Sequence, residues 1–218
     1  MALRLHFRFK DLQSAVDTVA GVTLNGTPVI GANGLALDGT KDHVASSVAW
    51  WDRTVATFYL RARFDSTASN QVFFEAWEGT SDRIRAVLTA ATDTPSWVGI
   101  NSATQFQLIG ASVSTGAQFI MVGAYAANDA VAYLNGTQVG TDNTVVVLDG
   151  GATDFTVGNW HDGDRPVTGS IAELAYWNER LPNTTLQALS SGQLTPVPGL
   201  SFARPLARPL ARPLARAL

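Results

Sequence analysis

The densest group of chemically versatile side chains is the run Asn159-Trp160-His161-Asp162-Gly163-Asp164-Arg165. An indole such as Trp160 has an apolar face on which a sugar ring can stack, and His161, Asp162 and Asp164 place polar groups beside it. These four residues form the candidate glycan-binding loop. Asp162 and Asp164 could also offer oxygens to calcium, but the other ligands of a calcium loop are missing, and Asp-Gly-Asp is ordinary turn chemistry. No metal site and no cofactor is expected. Trp50 and Trp51 are a second aromatic pair, expected to divide between the core and an interface.

Catalytic constellations are sparse. Glycoside hydrolysis needs two carboxylates facing one another across the scissile bond, about 5–9.5 Å apart. The nearest candidate is Glu75-Ala76-Trp77-Glu78. A three-residue offset puts its two acids on opposite faces of a strand, so they are expected to be solvated acids at a strand edge or end. The histidines are His6, His43 and His161. None has metal-ligand spacing, and no Gly-x-Ser-x-Gly elbow accompanies them. His6 falls on the polar face of the first apolar-alternating segment, which suggests a surface position. The chain has no cysteine, so thiol chemistry and disulfides are excluded. No catalytic residue is assigned.

The C-terminal segment differs in kind. Ala-Arg-Pro-Leu occurs three times from Ala203 to Leu214, followed by Ala215-Arg216-Ala217-Leu218. Each proline removes a hydrogen-bond donor and holds the preceding residue extended, so no helix can run through Leu214. At ~3.1 Å per residue the segment reaches about 50 Å. Arg204, Pro205, Leu206, Arg208, Leu210, Arg212, Leu214 and Arg216 thus form a candidate partner-binding arm, suited to an acidic and partly apolar groove. The chain carries 15 basic and 18 acidic residues, a net charge of −3. Setting the four arm arginines aside leaves 11 basic against 18 acidic, or −7. An acidic body argues against nucleic acid as partner.

The elements that must position these residues are strands. Leu3, Leu5, Phe7 and Phe9 alternate with Arg4, His6 and Arg8, and Ala56 to Phe64 repeats the pattern. Further strands are expected at Gln71–Trp77, Ile84–Leu88, Gln105–Ile109, Ala117–Ala126, Ala130–Leu134, Thr144–Leu148, Asp154–Val157 and Ser170–Trp177. Turn signals separate them at Asn25-Gly26, Ala32-Asn33-Gly34, Asp38-Gly39, Asn135-Gly136, Asp149-Gly150-Gly151 and Asp162-Gly163-Asp164. Many short strands with such punctuation predict an all-β sandwich. Thr184-Thr185-Leu186-Gln187 has capping-box form and Gly192 a stop signal, which predicts one short helix lying over a sandwich edge. The boundaries are a domain over 1–192, a Pro/Gly linker over 193–202 and the arm over 203–218. No segment is apolar enough for a membrane helix, and the first residues lack the apolar stretch of a signal peptide, so synthesis in a cytoplasm is expected.

Three stretches together resemble the laminin-G-like branch of the concanavalin-A-like lectin/glucanase superfamily. They are Gly34-Leu35-Ala36-Leu37-Asp38-Gly39-Thr40-Lys41-Asp42-His43-Val44; Phe119 to Tyr125 with Ala132-Tyr133-Leu134-Asn135-Gly136-Thr137-Gln138-Val139; and Phe155-Thr156-Val157-Gly158 with Thr168-Gly169-Ser170-Ile171-Ala172-Glu173-Leu174-Ala175-Tyr176-Trp177-Asn178. The resemblance implies a two-sheet antiparallel jelly roll with a short C-terminal helix. Glucanases of the superfamily carry Glu-x-Asp-x-(x)-Glu on one strand, and Glu75–Glu78 lacks the middle acid. Stand-alone domains of this kind resemble phage virion proteins. That implies a non-enzymatic structural subunit of the virion, as a capsid decoration protein, head fibre or tail accessory subunit anchored by its arm. Its expected partners are other virion proteins and copies of itself. The alternative is a lectin-like adhesion module recognising a surface polysaccharide, with a glycoside hydrolase as the third reading.

Overall fold

A computed structural model describes residues 3–9, 23–31, 33–40, 43–46, 54–78, 82–144 and 154–196. The strands are β1 (Leu3–Arg8), β2 (Thr23–Asn25), β3 (Val29–Gly31), β4 (Gly34–Asp38), β5 (His43–Ser46), β6 (Ala56–Phe64), β7 (Gln71–Glu78) and β8 (Asp82–Thr89). They continue as β9 (Thr94–Asn101), β10 (Ala103–Ile109), β11 (Gln118–Ala126), β12 (Asp129–Leu134), β13 (Thr137–Asp142), β14 (Asp154–Val157) and β15 (Thr168–Trp177), and one helix, α1, spans Asn183–Ser190. Neighbouring strands pair antiparallel in two sheets. One sheet runs β13-β12-β11-β6-β15-β4-β3, with β1 also beside β15; the other runs β10-β9-β8-β7-β14-β5-β2. The chain is thus a two-sheet jelly roll of the kind its sequence resembles. The expected Thr144–Leu148 strand (beyond Thr144), the Asp149-Gly150-Gly151 turn, Trp50, Trp51 and the whole arm from Arg204 to Arg216 lie outside the described residues.

The alternation in β6 explains the layering. Phe58, Leu60 and Phe64 point between the sheets, where they meet Phe74, Trp97, Leu174 and Tyr176. Phe58 stacks on Phe74 at 4.9 Å and lies 4.9 Å from Tyr176 and 5.5 Å from Trp97. Such ring pairs each contribute about 0.5–1.5 kcal/mol beyond burial. Asn135 and Gly136, with φ of 49° and 85°, form the tight turn between β12 and β13, as their residue types predict. The Asp38-Gly39 turn does a different job, because β4 lies in one sheet and β5 in the other.

Three local expectations are corrected. His6 is not a surface residue: it is 4% exposed, and its Nε2 lies 2.7 Å from Oε1 of Glu173, itself 1% exposed. The outward face of β1 lies beside β15, which presents a buried carboxylate that needs a partner. The helix does not start with a capping box. Pro182 is the N-cap residue, no side chain caps the helix, and the Pro182 carbonyl accepts from Thr185 and Leu186 instead. Nor does α1 cover an edge. Leu186 and Leu189 bury themselves with Tyr59, Val122, Tyr133 and Trp177 on the outer face of the eight-stranded sheet. At the helix end, Gly192 has φ of 76° and Leu194 donates back to Ala188, as the stop signal predicted.

Candidate functional site

The outer face of the seven-stranded sheet carries the other residues of interest. Strand alternation brings Glu75 and Trp77 of β7 to this face, because Phe74 and Ala76 fill the core. Register sets Arg85 beside Glu75 and Arg83 beside Trp77 on β8. Val98 and Ile100 of β9 follow in the next column. Val72, Val87 and Val98 make a small buried apolar cluster on this face, against which Ile100 and Trp160 pack.

The segment 158–167 leaves β14 and turns back over that face. Asn159, wholly buried, organises it: its Oδ1 accepts from the backbone N–H of Trp160 (2.7 Å) and of Arg165 (3.1 Å), and its Nδ2 donates to the Gly163 carbonyl (3.3 Å). Thr156 Oγ1 donates to the Asn159 carbonyl, and Val72 N–H donates to the Arg165 carbonyl at 3.1 Å. Gly163, with φ of 85°, occupies a conformation that a side chain would strain. Asp162 Oδ1 accepts from the backbone N–H of Asp164 at 3.1 Å, the turn chemistry expected of Asp-Gly-Asp. Both aspartates are exposed.

Loop and sheet meet at Glu75. Its Oε2 accepts from the backbone N–H of His161 at 3.3 Å and lies 3.0 Å from the ring Nδ1. The His161 ring stacks on Trp77 at 4.0 Å with 12° between the planes. Glu75 is 0% exposed. The expectation of a solvated strand-end acid therefore fails for Glu75, because the returning loop covers it. Burial pushes its carboxyl above the ordinary range, against the lowering effect of the His161 hydrogen bonds.

Trp160 is the centre of a cationic group. The Arg165 guanidinium lies over its ring at 3.9 Å, and those of Arg83 and Arg85 lie 5.6 Å from its centroid. His161 meets the same ring edge-on at 5.5 Å. Of the expected glycan-binding residues, Trp160 and His161 are therefore brought together with Trp77, while Asp162 and Asp164 belong to the outer turn. Trp160 is not the bare platform its sequence context suggested, since guanidinium groups sit against its ring. Sequence reasoning missed Glu75, Trp77, Arg83 and Arg85 as one site. The available signal was two pairs at i, i+2, Glu75/Trp77 and Arg83/Arg85, on consecutive strands.

With this geometry in place, comparison with known proteins is informative. The family model Laminin_G_3, of the concanavalin A-like lectin/glucanases superfamily, matches residues 38–187. No curated protein matches the chain in sequence. Among solved structures, domain 4 of AbnA, a GH43 extracellular arabinanase from Geobacillus stearothermophilus, in complex with arabinotriose, superposes with a TM-score of 0.70 at 17% identity, covering 87% of this chain and 98% of that one. The botulinum neurotoxin serotype D binding domain gives 0.69 at 12% identity, over 88% of this chain and 52% of its own. The Trypanosoma rangeli sialidase gives 0.62 at 17% identity, over 79% of this chain and 29% of its own. The chain thus spans about half of the toxin domain and under a third of the sialidase. At these identities the likeness is one of fold.

Proposed function

Since the chain belongs to the concanavalin A-like lectin/glucanase superfamily, we propose that it is a lectin-like module that binds a saccharide without turning it over. The carrying observation is the group of Trp77, Trp160 and His161 held on the outer face of the seven-stranded sheet by Glu75 and Asn159. Aromatic rings beside polar donors suit sugar rings, whose faces are apolar and whose rims are hydroxylated. The arabinotriose bound to domain 4 of AbnA supports a saccharide as the ligand class. Against hydrolysis stands Glu75, whose carboxylate is wholly buried and engaged by His161. The test is a glycan array probed with the wild type and with Trp160→Ala. Binding that is lost in the variant is expected; a wild type blank on every glycan overturns the reading.

A second reading is favoured by the sequence of the arm. Three Ala-Arg-Pro-Leu repeats suit docking onto a neighbouring subunit, so we propose them as the anchor of a virion structural protein. Removing residues 201–218 is expected to abolish incorporation into particles, and normal incorporation of the shortened chain sinks this reading.

A further inference from the structure

Among the arginines whose side chains are described, pairing is uneven. Arg61 lies 3.5 Å from Glu173, Arg63 2.8 Å from Asp65 and Arg180 3.0 Å from Asp129. Arg83, Arg85 and Arg165 have no carboxylate within ion-pair distance among the described residues, and these are the three gathered round Trp160. Like charges gathered this closely repel, and Glu75, beside Arg85 in the β7–β8 register, offsets that repulsion only in part. The hydrogen-bond inventory is equally one-sided. Arg83 Nε, Arg85 Nε and Nη1, Trp77 Nε1 and Trp160 Nε1 are buried donors with no acceptor, against a single free acceptor, Glu75 Oε1. Each of the three arginines is nonetheless half-buried rather than fully buried, which leaves part of each side chain open to a ligand. Acids do lie near: Asp154 faces Trp77 across the sheet, and Asp162 and Asp164 edge the loop, all exposed at the periphery.

Resting on the lectin-like reading, we propose that this site selects oxyanion-bearing saccharides, with Arg83, Arg85 and Arg165 binding a sugar carboxylate or sulfate ester beside Trp160. Guanidinium groups present planar forks of donors that match either oxyanion, and charge-assisted bonds of this kind are about twice as strong as neutral ones. The anion supplies the ion-pair partner that these three arginines lack among the described residues. Burial followed by the neighbouring Arg83 charge holds the Arg85 guanidinium below its ordinary pKa, against the raising effect of Glu75, and a bound anion acts in the same direction as Glu75.

The full-length protein is applied to an array carrying polygalacturonate, sialyllactose and heparin tetrasaccharide with neutral arabinotriose, laminarin and methyl-esterified polygalacturonate. Hits confined to the acidic probes are expected, at least tenfold weaker in Arg83→Gln/Arg85→Gln and in 0.5 M salt, where the screening length is about 4 Å. The pattern across the acidic probes tells carboxylate from sulfate. The arm is also basic, so a variant with Arg204, Arg208, Arg212 and Arg216 changed to Gln serves as control and is expected to retain binding. Arg165→Gln is the second site variant, and a cooperative thermal melt checks that each variant folds. Equal signals on neutral and acidic probes, or acidic binding lost in the arm variant and kept in the site variants, overturn the inference while leaving the lectin reading standing. A blank array overturns the lectin reading itself.

Discussion

At the scale of single residues, Glu75 is the most informative position. A carboxyl whose pKa rises on folding binds a proton more tightly in the folded state than in the unfolded one. Its contribution is therefore fully present below the ordinary value of 4.5 and lost as pH rises through the elevated folded value. Asp38 and Asp142 act in the opposite sense: hydrogen bonds from Thr40 and Thr144 lower them, so their contribution is lost as pH falls below 3.8. The two windows do not overlap. Glu75→Gln keeps an acceptor for His161 but removes the buried charge. It is expected to melt a few degrees above the wild type at pH 7.5, with the gap closing by pH 4.5 in paired calorimetric scans. A gap that widens on acidification contradicts the burial argument. Gly123 makes a second test at this scale. A Cβ there would sit 2.3 Å from the Trp97 ring, so Gly123→Ala overpacks the core and is expected to cost about 1–3 kcal/mol in urea unfolding.

Among the elements, α1 shows how a sheet with one face on the core buries its other face as well. Leu186→Ala removes a wholly buried side chain between the helix and the eight-stranded sheet. The expected cost is about 2–5 kcal/mol, read from the urea midpoint. The elements also show what the sequence could reveal. Alternation exposed β1, β6, β8, β11 and β15, and turn residues exposed the β12–β13 hairpin. Strand β9 carries no clean alternation, because Trp97 enters the core while Val98 packs beneath Trp160, so both of its faces are apolar. Pro95 and Gly99 within it further weaken the strand signal. The polar face of β1 was read as solvated because sequence gives no sign of Glu173 across the sheet, 167 residues away. The clustering of Trp160 and His161 in one loop was legible from composition alone. Its sheet-borne half was not, since joining Glu75 and Trp77 to Arg83 and Arg85 requires the β7–β8 register.

Over the molecule as a whole, the strands, the helix and their connections form the apolar clusters of the described residues, and removing residues 201–218 tests whether the arm takes any part in them. The chain shortened by those residues is expected to keep the thermal midpoint of the full chain to within about a degree, since surface changes away from packed groups rarely exceed ±0.5 kcal/mol. A drop of several degrees in differential scanning calorimetry would mean that the arm packs on the domain. If the midpoint is kept, the attachment proposed for the arm and the recognition proposed for the sheet face are two tasks that can be removed separately.

The pairing of β1 with β15, Leu3 opposite Trp177 and Arg8 opposite Glu173, bears on synthesis. As the chain emerges from the ribosome, β1 has no partner among the described strands until β15 has been made. Meanwhile Phe7 and Phe9, which end wholly buried against one another, remain open to water and to other nascent chains. Closure of this pair waits on β15, and the Phe7–Phe9 segment is where a holding chaperone would have most to do.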